Sequence, residues 1–300
     1  MKSFTCLLAL LLLVLLPFPG WSLDRFVIRN QQSVFGEILY YTLSGNETLL
    51  DVARHYDLGY NQIVLANPGV DPWLPPAGRQ ILIPKMFVLP RQPHTGILVN
   101  LPEMRLYYFR TEAGQPVVYT APIGIGTEGR LTTEGVYLVY RKKEHPYWHV
   151  PESIREEDPT LPEVVPPGPD NPLGDYALYL SRGAYAIHGT NKPWGIGRRV
   201  SHGCIRLYPE DIAALFPLVP VGTPVRVLYQ PYKLGVRGKE IYLQVFPDLE
   251  KRISSPLLEV LRLASELEEE TGRDLYLDLF KVHRVLARPD GVPHRVGTAR

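Results

Sequence analysis

Proline sets the first limit on this fold, at 30 of 300 residues. Each one fixes φ and removes a backbone donor, so long helices and wide unbroken strands are disfavoured through much of the chain. The 18 tyrosines point the same way, toward short strands joined by stiff turns. A chain of 300 residues has room for about two domains, and 45% hydrophobic with 21% charged residues is the balance of a globular protein. With 32 basic against 31 acidic residues, the chain offers nucleic acid no electrostatic footprint, and that class of partner is set aside.

Met1 to Ser22 reads as a secretory signal peptide: Lys2, an apolar run from Leu7 to Leu16, then Pro17 to Ser22 with small residues at Gly20 and Ser22. Cleavage is expected after Ser22, which leaves no membrane span; the other reading is an uncleaved anchor. The apolar run, about 10 residues, is short for a span that needs about 20. Once the leader is removed, Cys204 is the single cysteine. A lone thiol in an oxidising compartment is either a buried structural residue or a reactive one. His202, Gly203 and Arg206 beside it are expected to favour thiolate over thiol.

The chemistry concentrates between Ile187 and Leu207, where His188, His202, Cys204, Arg198, Arg199 and Arg206 lie among glycines. Nucleophilic acyl transfer needs a thiolate, a base that makes it, and donors for the oxyanion. Cys204 supplies the first and His188 or His202 the second. Gly203 lets the chain turn sharply. A zinc site on His188, His202 and Cys204 is chemically permitted, but a fourth ligand is missing. No metal and no cofactor are expected.

The pattern His188-Gly189-Thr190 followed by Ser201-His202-Gly203-Cys204-Ile205-Arg206 resembles the L,D-transpeptidase (YkuD-type) signature. It is most similar to the enterobacterial periplasmic branch, and the likeness runs roughly from Tyr40 to Gly235. Many members carry Asn where this chain has Arg206. The resemblance implies that Cys204 attacks diaminopimelate of a peptidoglycan tetrapeptide stem, releasing D-alanine, and that His188 moves the proton. The Gly189 carbonyl would orient that histidine, Gly203 and Cys204 would give the oxyanion N–H groups, and His202 would shape the site. Arg206, Arg199, Ser201 and Trp148 are the expected substrate contacts. The acceptor amine is either a lysine of an outer-membrane lipoprotein or a second stem. The rival functions are an L,D-carboxypeptidase or cysteine peptidase on cell-wall peptides, and a non-catalytic peptidoglycan-binding protein.

These readings give an α+β multidomain chain built around a mainly-β catalytic domain. Residues 23–39 are expected as an N-terminal arm, extended or forming a first strand. Residues 40–84 resemble a small βααβ LysM peptidoglycan-binding module, with Asn46 as N-cap of its first helix and a last strand ending at Pro84. The reading without a ligand is a plain packing domain. A linker at 85–94 leads to the catalytic domain at 95–230, whose strands are expected at Gly96 to Asn100, Arg105 to Phe109, Val117 to Ala121, Val136 to Tyr140, Tyr176 to Leu180 and Ala184 to His188. The proline-rich segment from Lys142 to Gly174 is expected to be a lid carrying His145, Trp148 and His149. In the partly helical extension at 231–300, a helix from Ser255-Pro256 is expected to bury Leu258, Leu261, Ala264 and Leu267. A second helix is expected over Leu275 to Leu286, and a frayed tail from Arg288.

Overall fold

The computed structural model describes residues 23–29, 32–91, 93–183 and 185–300. The expected leader lies outside the described residues. The arm is part of the main sheet, because Asp24–Val27 pairs antiparallel with the strand Gln115–Pro122. The chain then forms a βααβ unit: strand Val34–Thr42, helix α1 (Leu49–His55), helix α2 (Tyr60–Ala66) and strand Gln80–Val88, the two strands antiparallel. Both strands overrun the expected limits at 40 and 84, since Val34, Phe35, Met86, Phe87 and Val88 all have apolar surface to bury.

The N-cap of α1 is Thr48, which corrects Asn46. The Asp51 N–H donates to the Thr48 hydroxyl at 3.2 Å, and the Thr48 N–H donates back to the Asp51 carboxylate at 2.8 Å. That reciprocal box satisfies two amide donors which Asn46 would leave open.

The central region is a curled mixed sheet. Among the described residues its nine strands run in the order Asp24–Val27, Gln115–Pro122, Arg105–Glu112, Gly96–Asn100, Pro224–Leu228, Gly135–Glu144, Tyr176–Leu180, Ala186–His188 and Ile205–Arg206. Ile97, Val99, Leu106, Val139, Leu178, Ile187, Ile205 and Val225 fill its inner face. The segment from Lys142 to Gly174 is not irregular throughout. The strand Gly135–Glu144 continues into it, and a small hairpin of Trp148–His149 with Val164–Val165 encloses helix α3 (Glu152–Glu157). Helix α4 (Pro209–Leu218) follows the cysteine-bearing turn and drives Ile212 and Leu215 into the core. Pro209 sits in its first turn, where the missing N–H costs nothing.

The C-terminal extension differs most from expectation. It is a four-stranded sheet in the order Tyr232–Arg237, Glu240–Val245, His294–Ala299 and Leu275–Leu277, packed against α5 (Pro256–Thr271) and α6 (Leu279–Leu286). The expected tail is thus an inner strand, with Val296 and Ala299 fully buried. Helix α5 buries Val260, Leu263, Ala264 and Leu267 and leaves Leu258 and Leu261 exposed, so its apolar face is rotated from the one expected. Gly272 ends the helix at φ 65° in the left-handed region, a C-cap that glycine adopts without strain.

A buried polar knot ties the three units together. Lys233 Nζ lies 2.7 Å from Glu103 Oε2 and donates to the Val88 carbonyl at 2.6 Å. Asn100 and Tyr107 donate to the same carboxylate. Burial pushes the lysine down to about 8. Every partner is satisfied, which is the condition for keeping an ion pair in a core.

Candidate active site

The strands Ala186–His188 and Ile205–Arg206 lie side by side and parallel, in the register Ile187 with Ile205 and His188 with Arg206. Paired residues on neighbouring strands point to the same face. His188 and Arg206 therefore share a face, and Cys204 enters on it directly before Ile205. The Cys204 sulfur takes a hydrogen bond from the Ala186 backbone and feels the Arg206 charge. Cys204 is in no disulfide among the described residues.

His188 is buried, with Nδ1 2.7 Å from the Gly189 carbonyl oxygen. A carbonyl can only accept, so Nδ1 carries the hydrogen and Nε2 is left as the basic nitrogen. Burial, helped by the Arg206 charge, lowers the imidazole to about 4. Burial also raises the Cys204 thiol above its ordinary range, against the pull of Ala186 and Arg206. Both shifts run against the expected thiolate, since burial favours the thiol and the neutral imidazole. Desolvation in this site outweighs the nearby cation.

The turn that presents Cys204 is held by Ser201, whose hydroxyl donates to the Cys204 carbonyl at 2.5 Å and accepts from the Gly203 N–H at 3.2 Å. Ser201 is buried and its hydroxyl is occupied by these two bonds. The Gly203 N–H is thus engaged within the turn. Gly203 has φ +104°, and a Cβ there would lie 2.5 Å from the Tyr185 ring. Outside the turn, the Thr132 hydroxyl donates to the Gly203 carbonyl at 2.9 Å, and Ile125–Gly126 pairs with Arg199–Ser201. Thr132, Tyr185 and Ala186 are thus parts of the site that sequence reasoning missed. Thr132 and Tyr185 lie outside the strands, Ala186 opens the strand that carries His188, and none of the three has a motif of its own.

The remaining expected residues scatter. Arg206 is partly buried with its Nε unpartnered among the described residues, a donor left over beside the thiol. Arg199 faces Glu250 at 3.6 Å, tying the motif to the C-terminal unit. His202 lies at the surface with Nε2 3.4 Å from Glu157 of α3, and Glu157 also forms an ion pair with Arg130. Trp148 is half-buried in the hairpin strand of the 142–174 segment. A cavity of about 720 Å³ between the linker and α5 contains none of the motif residues, and within its lining Arg91 pairs with Glu266 and Arg262 with Glu259. Among the described residues no cluster of three or more metal-ligating side chains is present, and no helix is long and apolar enough to cross a membrane.

The chain is similar to several known proteins. The family description of the L,D-transpeptidase catalytic domain (YkuD) matches residues 94–227. The probable L,D-transpeptidase ErfK/SrfK of Salmonella typhimurium is 40% identical over 272 residues, 86% of this chain and 85% of that protein. The probable L,D-transpeptidase YbiS of Escherichia coli is 45% identical over 216 residues, 70% of this chain and 67% of that one. The solved catalytic domain of the Enterococcus faecium L,D-transpeptidase is 26% identical and aligns with 46% of this chain and all of its own at a TM-score of 0.36. On the strength of the long matches, the chain belongs to the L,D-transpeptidase family and is an enzyme of that family.

Proposed function

We propose that this chain is a cysteine-dependent L,D-transpeptidase acting on peptidoglycan tetrapeptide stems in the periplasm. The observation that carries the reading is the shared face of His188, Arg206 and Cys204, with the imidazole oriented by the Gly189 carbonyl. Cys204 Sγ attacks the carbonyl at the L-centre of diaminopimelate while His188 Nε2 takes the thiol proton. The tetrahedral intermediate collapses, the C–N bond to D-alanine breaks, and His188 returns the proton to the leaving amine. An acceptor amine then attacks the thioester by the same steps in reverse. The unspent Nε of Arg206 supports a role in holding a stem carboxylate, which a guanidinium matches in two hydrogen bonds. The Gly189 carbonyl takes the place that a carboxylate holds in a Ser-His-Asp triad.

The βααβ unit is proposed to be a LysM-like module that holds glycan. The favoured acceptor is a lysine of an outer-membrane lipoprotein, because Arg206 replaces the Asn of many cross-linking relatives; a second stem, giving 3→3 cross-links, is the alternative.

Incubation with tetrapeptide muropeptides and a peptide ending in lysine, read by mass, tests both steps. Loss of D-alanine with stem–lysine adducts is expected. Cys204→Ala should abolish both with the far-UV spectrum intact. Stem hydrolysis without any adduct would replace this reading with an L,D-carboxypeptidase. Dimers that form equally well with the lysine peptide present would move the acceptor to a second stem.

A further inference from the structure

The turn Pro193–Gly195, between His188 and the Ser201–Cys204 turn, carries Trp194 with 56% of its surface exposed. Among the described residues neither its indole N–H nor the Tyr60 hydroxyl has a hydrogen-bond partner. Trp194 forms one wall of a cleft of about 190 Å³, whose other walls are Leu50, Asp51 and Arg54 of α1, Tyr60 of α2, and Tyr208 just beyond the catalytic strand. The cleft therefore lies where the βααβ unit meets the stretch that bears the catalytic residues.

This junction is built rigidly. The Tyr60 N–H donates to the Ile196 carbonyl at 3.0 Å, and the Asn61 N–H to the Gly197 carbonyl at 3.2 Å. A Cβ on Gly197 would lie 2.2 Å from the Tyr60 nitrogen, so the backbones meet where only glycine fits. Arg54 grips Glu210 through two hydrogen bonds of 2.7 and 2.9 Å, and the Tyr208 hydroxyl donates to the Leu58 carbonyl at 3.1 Å. A strip of aromatic surface continues from the cleft: the Arg198 guanidinium lies 3.7 Å from the Tyr60 ring centroid and 5.2 Å from that of Trp73, which is also half exposed.

Flat aromatic faces beside a carboxylate and a guanidinium suit a sugar ring, whose C–H face stacks while its hydroxyls find donors and acceptors. The cleft is smaller than the roughly 300–1,000 Å³ of a typical drug-sized pocket, which limits it to something of about one ring. A stem is covalently attached to its glycan, and three extended residues span at most about 10 Å. The sugars of a donor must therefore lie close to the thiol that receives its stem. We propose that this cleft holds a sugar of the glycan strand that carries the donor stem, so that the enzyme selects stems still attached to glycan. The proposal rests on the peptidoglycan reading above and deepens it, placing a glycan subsite at the junction of the two units and not within the βααβ unit alone.

The test compares kcat/KM for disaccharide-tetrapeptide and for free tetrapeptide in the full chain. Trp194→Ala should lower the value about tenfold on the disaccharide donor, chiefly through KM, and leave free tetrapeptide within twofold. Trp194→Phe, which keeps a flat ring, should recover part of the loss. Equal losses on both donors, or none on either, would overturn the proposal. Titration of an N-acetylglucosamine tetramer, followed by intrinsic fluorescence, reads the cleft without chemistry. Binding is expected in the wild type and weakened in Trp194→Ala; equal binding by the two would place the glycan elsewhere and overturn the proposal. If the wild type turned over neither donor, the transpeptidase reading would fall, while the titration would still decide the cleft.

Discussion

His188 and Arg206 stand opposite one another on parallel strands, and the guanidinium charge adds to burial in holding the imidazole at about 4. The imidazole is therefore unprotonated through the whole neutral range. Because Cys204 is held above the ordinary thiol range, His188 has a proton to remove only when attack begins. In a pH profile of kcat/KM the acid limb should appear only as pH falls through about 4. Alkylation of Cys204 by iodoacetamide should keep accelerating through the alkaline range. An alkylation rate already level below neutral pH would reveal a preformed thiolate and refute this account.

Removing the base should be far worse than removing a neighbouring cation. His188→Ala is expected to cost about 10²–10⁴-fold in kcat. Arg198 stacks on Tyr60 away from the thiol, so Arg198→Ala should stay within about tenfold. If His202→Ala instead removed the acid limb of the pH profile, the two histidines would exchange roles. The surface position of His202 against Glu157 argues against that outcome.

Gly203→Ala should displace the nucleophile. Its φ of +104° is strained for any L side chain, and the new Cβ would strike the Tyr185 ring. A shift of about 1 Å in a reacting atom costs on the order of 10²-fold. Steady-state kinetics should show that loss in kcat, with the far-UV spectrum unchanged. Activity near wild type would mean that the turn relaxes without moving Cys204.

The candidate site was legible in the sequence because its residues fall within one short, chemically unusual stretch. The strands around it were legible because their apolar residues fall between proline and glycine turns. Errors arose where tertiary contact overrides local signal. Asn46 and Thr48 are both competent caps, and the choice depends on Asp51 reaching back. Leu258 is as apolar as Leu263, yet only the sheet behind α5 decides which of them is buried. The thiolate expectation failed because the sequence shows Arg206 beside Cys204 and does not show how deeply the thiol sits. Glu103 with Lys233, and Asp57 with Asp211, meet across long chain separations that no local pattern reveals.

The last of these pairs gives a stability prediction. Asp57 lies between α1 and α2, Asp211 lies in the first turn of α4, and both side chains are buried at the junction of the two units. Burial is the main cause of a raised pKa in each. Neighbouring Asp57 pushes Asp211 further up. Arg105 and Lys85 draw Asp57 back, against Asp24, to about 6. Tyr208 and Glu210 complete the charged and titratable surroundings. A carboxyl that titrates higher in the folded chain than in the unfolded one binds more protons when folded, so its contribution to stability falls as pH rises from about 4 through about 6. Asp57→Asn removes that ionisation, and Asn tolerates the φ of 51° found there. The variant should melt with the wild type near pH 4 and above it at pH 7–8. The gain should be on the order of 1–3 kcal/mol, the cost of an imperfectly satisfied buried group, and each kcal/mol is about 2–4 °C in Tm for a domain of 150–250 residues. Thermal melts at several pH values decide it: curves that stay parallel from pH 4 to pH 8 would mean that Arg105 fully compensates the Asp57 charge.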